Sequence, residues 1–247
     1  MSTERTPSPN VSRREFLRLS ILTAASLLIN PKSETQDTPE GALLVEPTHP
    51  VIYVITPLKG RLSDIVGNGY SHLQRTYDSK GRTGGLHIGT DFNIGNGDED
   101  LGLNIRLIMN GVCIFIGHDD SRSLGNIALF RHRLAPGVDV VSRFAHCLEI
   151  NSNLEVGTDY RPGKIVGKVG KSGWIKGPSH LHLDICTTDI LLERYSGPEA
   201  DPWWFPHENA STTYINKHYL DPAELISKFP KPPPRRSEYC KHTPPVL

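Results

Sequence analysis

The chain has 247 residues, enough for one medium domain with tails and for a properly buried core. Its 37% apolar content is low for a helix bundle, and 22 Gly with 20 Pro signal many turns, which favours a β-rich domain with long loops. Lys+Arg and Asp+Glu both number 27, so no global basic surface exists to neutralise phosphates, which weakens a nucleic-acid reading and leaves only a local patch open.

The first stretch reads as an address. After a polar start, Ser12-Arg13-Arg14-Glu15-Phe16-Leu17-Arg18 precedes an apolar run at 19–29, closed by Asn30-Pro31. A charged segment followed by such a short apolar run is the layout of a secretory signal, too short to cross a bilayer as a helix. Arg13-Arg14 with Phe16-Leu17 resembles the twin-arginine export signal, which implies the twin-arginine machinery as a partner and the cell envelope, periplasm or exterior as the destination. No small-x-small cleavage site follows, so an uncleaved signal serving as an N-terminal membrane anchor is part of this expectation.

Residues 32–43 have linker composition, and the pattern turns strand-like from Leu44. The β-branched run at 51–55 predicts a strand closed by Thr56-Pro57. The apolar stretch 103–116 is divided by Asn110-Gly111, which predicts a hairpin. Short strands are expected at 126–131, 138–144, 164–169 and 180–186, and a weak helical period at 222–228. Between them, 189–218 reads as a loop insertion carrying Tyr195, Trp203, Trp204 and Tyr214. The end, 230–247, holds Pro232-Pro233-Pro234-Arg235-Arg236 and reads as an extended tail. These elements predict one all-β domain over 44–229 with few short helices.

The cysteines, Cys113, Cys147, Cys186 and Cys240, form no C-x-x-C pair, which argues against a cysteine zinc site or redox motif. Disulfides and free thiols both stay open. Histidines are more informative. In G-P-S-H-L-H-L-D-I, His180 and His182 lie two apart on a strand and so share one face, about 6.6 Å from each other. His87 and Asp91 in H-I-G-T-D-F pose a geometric problem, because four strand residues span about 13 Å, too far for two ligands of one ion. Either the chain bends, most easily at Gly89, or His87 is a loop residue and Asp91 starts a strand. Two imidazoles and one carboxylate suit zinc with a fourth position open to water, the catalytic rather than the closed structural arrangement. His72, His118, His132, His207, His218 and His242 have no second motif partner and read as ordinary surface or core histidines.

The segments HIGTDF, RFAHC and GPSHLHLDI, in this order and spacing, resemble the signature of the lysostaphin/LytM-type zinc metallopeptidases, a family of peptidoglycan endopeptidases. The glycine-punctuated run 163–173, the turns Asn110-Gly111-Val112 and Gly125-Asn126, and Tyr219-Leu220-Asp221-Pro222 extend the likeness over most of 57–226. The resemblance implies an antiparallel β-sheet with one Zn2+ at the floor of a groove. It implies His87, Asp91 and His182 as the metal ligands, with His180 and His146 as an unliganded catalytic pair. His180 as a third nitrogen ligand is the main rival assignment. Asp184 is a candidate to orient an imidazole from behind, and Trp203 and Trp204 are candidates for substrate binding. The implied substrate is the stem or cross-bridge peptide of peptidoglycan. A wall-binding protein without catalysis, or an activator of another hydrolase, is the rival class, disfavoured because no motif residue is replaced. Cys147 and Cys186 beside the motifs, and the length of 189–218, depart from a minimal domain of this kind.

Overall fold

The computed structural model describes residues 45–67, 71–77, 83–119, 124–173, 175, 177–188 and 212–232. The export segment, the linker, Trp203, Trp204, Cys240 and most of the Pro-rich tail lie outside the described residues. In chain order come α1 (Leu62–Ile65), β1 (Ser71–Tyr77), β2 (Thr83–His87), β3 (Gly89–Phe92), β4 (Asn104–Arg106), β5 (Gly111–Asp119) and β6 (Gly125–Ala135). There follow β7 (Val138–Cys147), β8 (Glu149–Ile150), β9 (Asp159–Tyr160), β10 (Ile165–Lys168) and β11 (Leu181–Thr187). The described chain closes with α2 (Thr212–His218), β12 (Tyr219–Leu220) and α3 (Pro222–Lys228). None of these helices is long and apolar enough to cross a membrane.

The fold is mainly antiparallel β-sheet with short helices. Its principal sheet runs β12-β11-β7-β6-β5-β9, and β3 pairs with β11 on the edge away from β7, which it shares with β12. A second sheet, β4-β10-β8, and the hairpin β1-β2 complete it. Strands β6, β7 and β11 form where strand signals predict them, because alternating residues meet apolar partners on both faces. Ala128, Phe130, Val140, Phe144, Leu181, Leu183 and Ile185 enter one core cluster. Ile127, Leu129, Val141, Ala145 and Cys186 enter a second on the opposite face. The β6–β7 turn is Pro136-Gly137, where proline presets one turn position and Gly137 takes a φ of 72° that a side chain would resist.

Two expected features are corrected. Residues 51–55 form no strand, although Val51 and Val54 are buried. Their backbone bonds are dispersed: Val51 N donates to Arg133 O at 2.7 Å, Val54 N to Pro230 O at 3.2 Å and Ile55 N to Ile108 O at 2.9 Å. One bond to each of three segments laces the chain down without making a ladder. Asn110-Gly111 does not turn a hairpin either, since β4 pairs with β10 while β5 pairs with β6 and β9. Gly111 is there for clearance, because a β-carbon would stand 2.3 Å from His132 Nδ1 and 2.5 Å from Arg131 O. Cys113, Cys147 and Cys186 are buried free thiols, so among the described residues the open question of disulfides falls to thiols. Burial pushes Cys113 up to about 11 and Cys147 to about 12, leaving both thiols protonated and inert.

Helix α3 matches its predicted span, and its start positions the site. Asp221 caps it, accepting from Ala223 N at 2.9 Å and Glu224 N at 3.3 Å, with Pro222 at the first helical position. The same carboxylate oxygen accepts from Thr90 Oγ1 at 3.4 Å, tying the helix start to β3 beside Asp91.

Candidate metal centre

Strand β11 carries the site between two neighbours. On one side it pairs with β3, so His182 faces Asp91 and Asp184 faces Gly89. On the other it pairs with β7, so His182 faces Ala145 and Asp184 faces Arg143. Directly opposed residues share a face of a sheet, which gathers His182, Asp91, Asp184 and Arg143 on the face of the second cluster. The chain breaks its strand at the buried Ile88, between β2 and β3, and this break lets His87 return toward Asp91. Bending between the two residues therefore occurs as the spacing requires, one residue before Gly89. Gly89 has another task. A β-carbon on it would lie 2.6 Å from Leu183 O and 2.7 Å from His182 Cε1 and Nε2, so the imidazole occupies the space that glycine leaves.

Three ligand-type atoms converge. His87 Nε2 lies 3.2 Å from Asp91 Oδ1 and 3.3 Å from His182 Nδ1, and His182 Nδ1 lies 3.0 Å from Asp91 Oδ1. All three residues are buried, at 5%, 8% and 3% exposure for His87, Asp91 and His182, which leaves little water to solvate the carboxylate. Protons satisfy at most two edges of that triangle, since a nitrogen–nitrogen edge and two nitrogen–oxygen edges cannot all hold a hydrogen. A cation at the centre satisfies all three. Ligands at about 2.0–2.1 Å from a tetrahedral ion stand about 3.3–3.4 Å from one another, close to the observed edges. His87, Asp91 and His182 thus fit one metal ion.

The electrostatics agree. Burial works against ionising Asp91, but hydrogen bonds from His182 and His87 outweigh it and hold the carboxyl well below the usual carboxylate range. For His182 burial opposes the charged form, yet Asp184 and Asp91 raise its pKa to about 9. An imidazole between two carboxylates attracts a positive charge, whether a proton or a metal. Asp184 sits behind it, Oδ2 being 3.3 Å from His182 Nε2 and accepting from Arg143 Nε at 2.9 Å. Burial raises the Asp184 carboxyl, and Arg143 with His182 brings it down below its ordinary value.

His146 and His180 join from two other directions. Their ring centroids are 4.9 Å apart, and His146 is 5.9 Å from the His182 ring. His180 stands just before β11, bridged to Gly170, with Nε2 3.8 Å from Asp91 Oδ1. Its Nδ1 donates to Pro178 O at 3.0 Å, which leaves Nε2 as the acceptor. Asp98 and Asp100 brace this approach: Ser179 N donates to Asp98 Oδ1 at 2.7 Å and Ser179 Oγ to Asp100 Oδ1. His146 is the one non-glycine with positive φ, 61°, among the described residues. It lies at a register shift between β6 and β7, and a bulge with a left-handed residue re-aims the side chain. Its backbone N donates to Leu124 O at 2.9 Å and its Nδ1 to Ser172 O at 3.1 Å, so Nε2 is again an acceptor. Burial, then the neighbouring His182 and His180, lowers its pKa to about 3 and keeps the ring neutral.

All five motif residues, His87, Asp91, His146, His180 and His182, are therefore brought together. The structure adds Arg143, buried at 1% exposure, which the sequence reading did not single out; an arginine inside the predicted strand 138–144 was the available signal. Among the histidines read as ordinary, His132 is wholly buried between Asn110 O and Ser142 Oγ, and His218 is buried against Tyr214.

No protein-family model and no curated protein matches the chain. Solved structures resemble it distantly. The catalytic domain of the antimicrobial peptidase lysostaphin from Staphylococcus simulans is 20% identical, with 68% of this chain and 96% of that chain covered at a TM-score of 0.44. A zinc-containing peptidase from Vibrio cholerae is 19% identical, covering 54% of this chain and 37% of its own, at a TM-score of 0.42. A putative peptidase M23 from Pseudomonas aeruginosa is 22% identical, covering 61% of this chain and 53% of its own, at a TM-score of 0.41. Likeness of this depth says nothing about the reaction.

Proposed function

We propose that the chain is a zinc metalloendopeptidase that hydrolyses peptide bonds in peptidoglycan stem or cross-bridge peptides. The observation that carries it is the buried triangle of His87 Nε2, Asp91 Oδ1 and His182 Nδ1, with edges of 3.0–3.3 Å, flanked by two further imidazoles. In this reading those three residues hold one zinc ion. Zinc in such a site supplies a Lewis acid that lowers the pKa of water and polarises a carbonyl oxygen. The remaining work falls to the chain. His180, its Nδ1–H committed to Pro178 O, offers Nε2 to the proton of the attacking water. His146, held neutral with its Nδ1–H on Ser172 O, presents a second acceptor beside it, the two ring centroids being 4.9 Å apart. The proton that His180 takes from the water is the one returned to the leaving amine.

The substrate class comes from the motif resemblance, since the site itself specifies only metal-assisted hydrolysis. Export by the twin-arginine route belongs to the same proposal and rests on residues 12–29. A wall-binding protein without catalysis has no use for the two extra imidazoles. The test is His180→Ala on purified peptidoglycan. Digestion should fall by about 10²–10⁴-fold while zinc stays bound. Digestion equal to wild type, with the metal retained, removes His180 from the mechanism.

A further inference from the structure

The register of β3, β11 and β7 sets two rows across the sheet: Asp91, His182 and Ala145 in one, Gly89, Asp184 and Arg143 in the next. The small residues stand where they leave room. Gly89 clears space for the imidazole of His182, whose two nitrogens then point in different directions. Nδ1 meets Asp91 Oδ1 at 3.0 Å, and Nε2 lies 3.3 Å from Asp184 Oδ2. That oxygen is held in turn by Arg143, with Nε at 2.9 Å and Nη2 at 2.8 Å. Arg143 and Asp184 side chains are 1% and 2% exposed, so bulk solvent does not reach the pair.

We propose that Arg143 is a positioning residue for the metal centre: by clamping Asp184 it fixes the Nε2–H tautomer and ring orientation of His182, so that Nδ1 faces the metal. This rests on the zinc reading above. A carboxylate only accepts, so Asp184 Oδ2 at 3.3 Å from Nε2 favours the hydrogen on that nitrogen and the lone pair at Nδ1. A buried carboxylate without a cationic partner is costly, and Arg143 is the cation that lies against Asp184 Oδ2, at 2.8–2.9 Å. The hydrogen bond from Nε, with the guanidinium charge close by at Nη2, also holds Asp184 in place beside His182. Lysine, a single point donor, reproduces the charge without the fork.

The test is zinc affinity by chelator competition, with the visible spectrum of the Co2+-substituted chain as a report on ligand geometry. Arg143→Met should weaken zinc by about 10–100-fold and alter the cobalt spectrum, and Arg143→Lys should lose less. In Arg143→Met/Asp184→Leu the buried pair is replaced by apolar side chains, which keeps the strands packed if the single variant misfolds. Its zinc affinity should match that of Asp184→Leu alone, because Arg143 acts only through Asp184. A folded Arg143→Met chain with zinc affinity within about two-fold of wild type and an unchanged cobalt spectrum overturns the inference. So does a double variant that binds like wild type. If the wild-type chain itself binds no zinc, the metallopeptidase reading falls first and takes the inference with it.

Discussion

Alanine at Gly89 separates two accounts of that glycine. If glycine serves only to ease a bend, alanine is cheap there, because Gly89 has no left-handed φ and the substitution reduces unfolded-state entropy by about 0.4–1 kcal/mol. If glycine makes room for the imidazole of His182, alanine is expensive. The added carbon meets Leu183 O at 2.6 Å and the His182 ring at 2.7 Å, and ordinary contact begins at 3.4 Å, so β3 must part from β11 and its imidazole by about 0.7–0.8 Å. Overpacking of this kind costs about 1–3 kcal/mol, which exceeds the entropic gain. It also exceeds the ~0.2 Å within which metal-ligand distances are held, so zinc affinity should fall by at least about 10-fold. Thermal unfolding of the metal-free chain gives the first quantity and chelator competition the second. Gly177→Ala, with nothing within 4 Å of the added carbon, is the control and should be neutral. A Gly89→Ala chain as stable as wild type and with full zinc affinity refutes the clearance argument.

Two further outcomes are expected. His132 is buried as the neutral ring and its pKa is lowered to about 4 by desolvation, so the unfolded chain binds its proton first. Stability from this group is complete above about 6.5 and is lost as pH falls from there toward 4, by on the order of 3 kcal/mol; His132→Asn should flatten that part of a pH-dependent denaturation series, and an unchanged slope contradicts the assignment. Replacing Arg13 and Arg14 together by Lys should retain the protein in the cytoplasm on cell fractionation; continued export points to another route.

The sequence revealed the site's members more fully than their arrangement. The strand period of two set His180 beside His182 in the sequence, and both reach the site, although His180 stands one residue before β11. The reach from His87 to Asp91 demanded an interruption, and the structure puts it at Ile88. His146 was visible as a residue, but its φ of 61° was not, because a bulge depends on the register of two strands rather than on local sequence. Arg143 was hidden for a related reason: its partner Asp184 is distant in the chain and meets it only through β7–β11 pairing. Strands β8, β9 and β12, two residues each, are too short to carry a period. The run at 51–55 misled because β-branched residues report burial as much as pairing, and Val51 and Val54 are buried without a ladder.

The central claim is that His87, Asp91 and His182 hold a zinc ion used to cut peptide bonds. The most direct measurement pairs zinc analysis with mass spectrometry of peptidoglycan digested by wild type and by Asp91→Ala. The account predicts about one zinc per wild-type chain and new amino termini released from the peptides, with both lost in Asp91→Ala. An Asp91→Ala chain with full zinc content, or a zinc-loaded wild type that leaves every peptide intact, contradicts it.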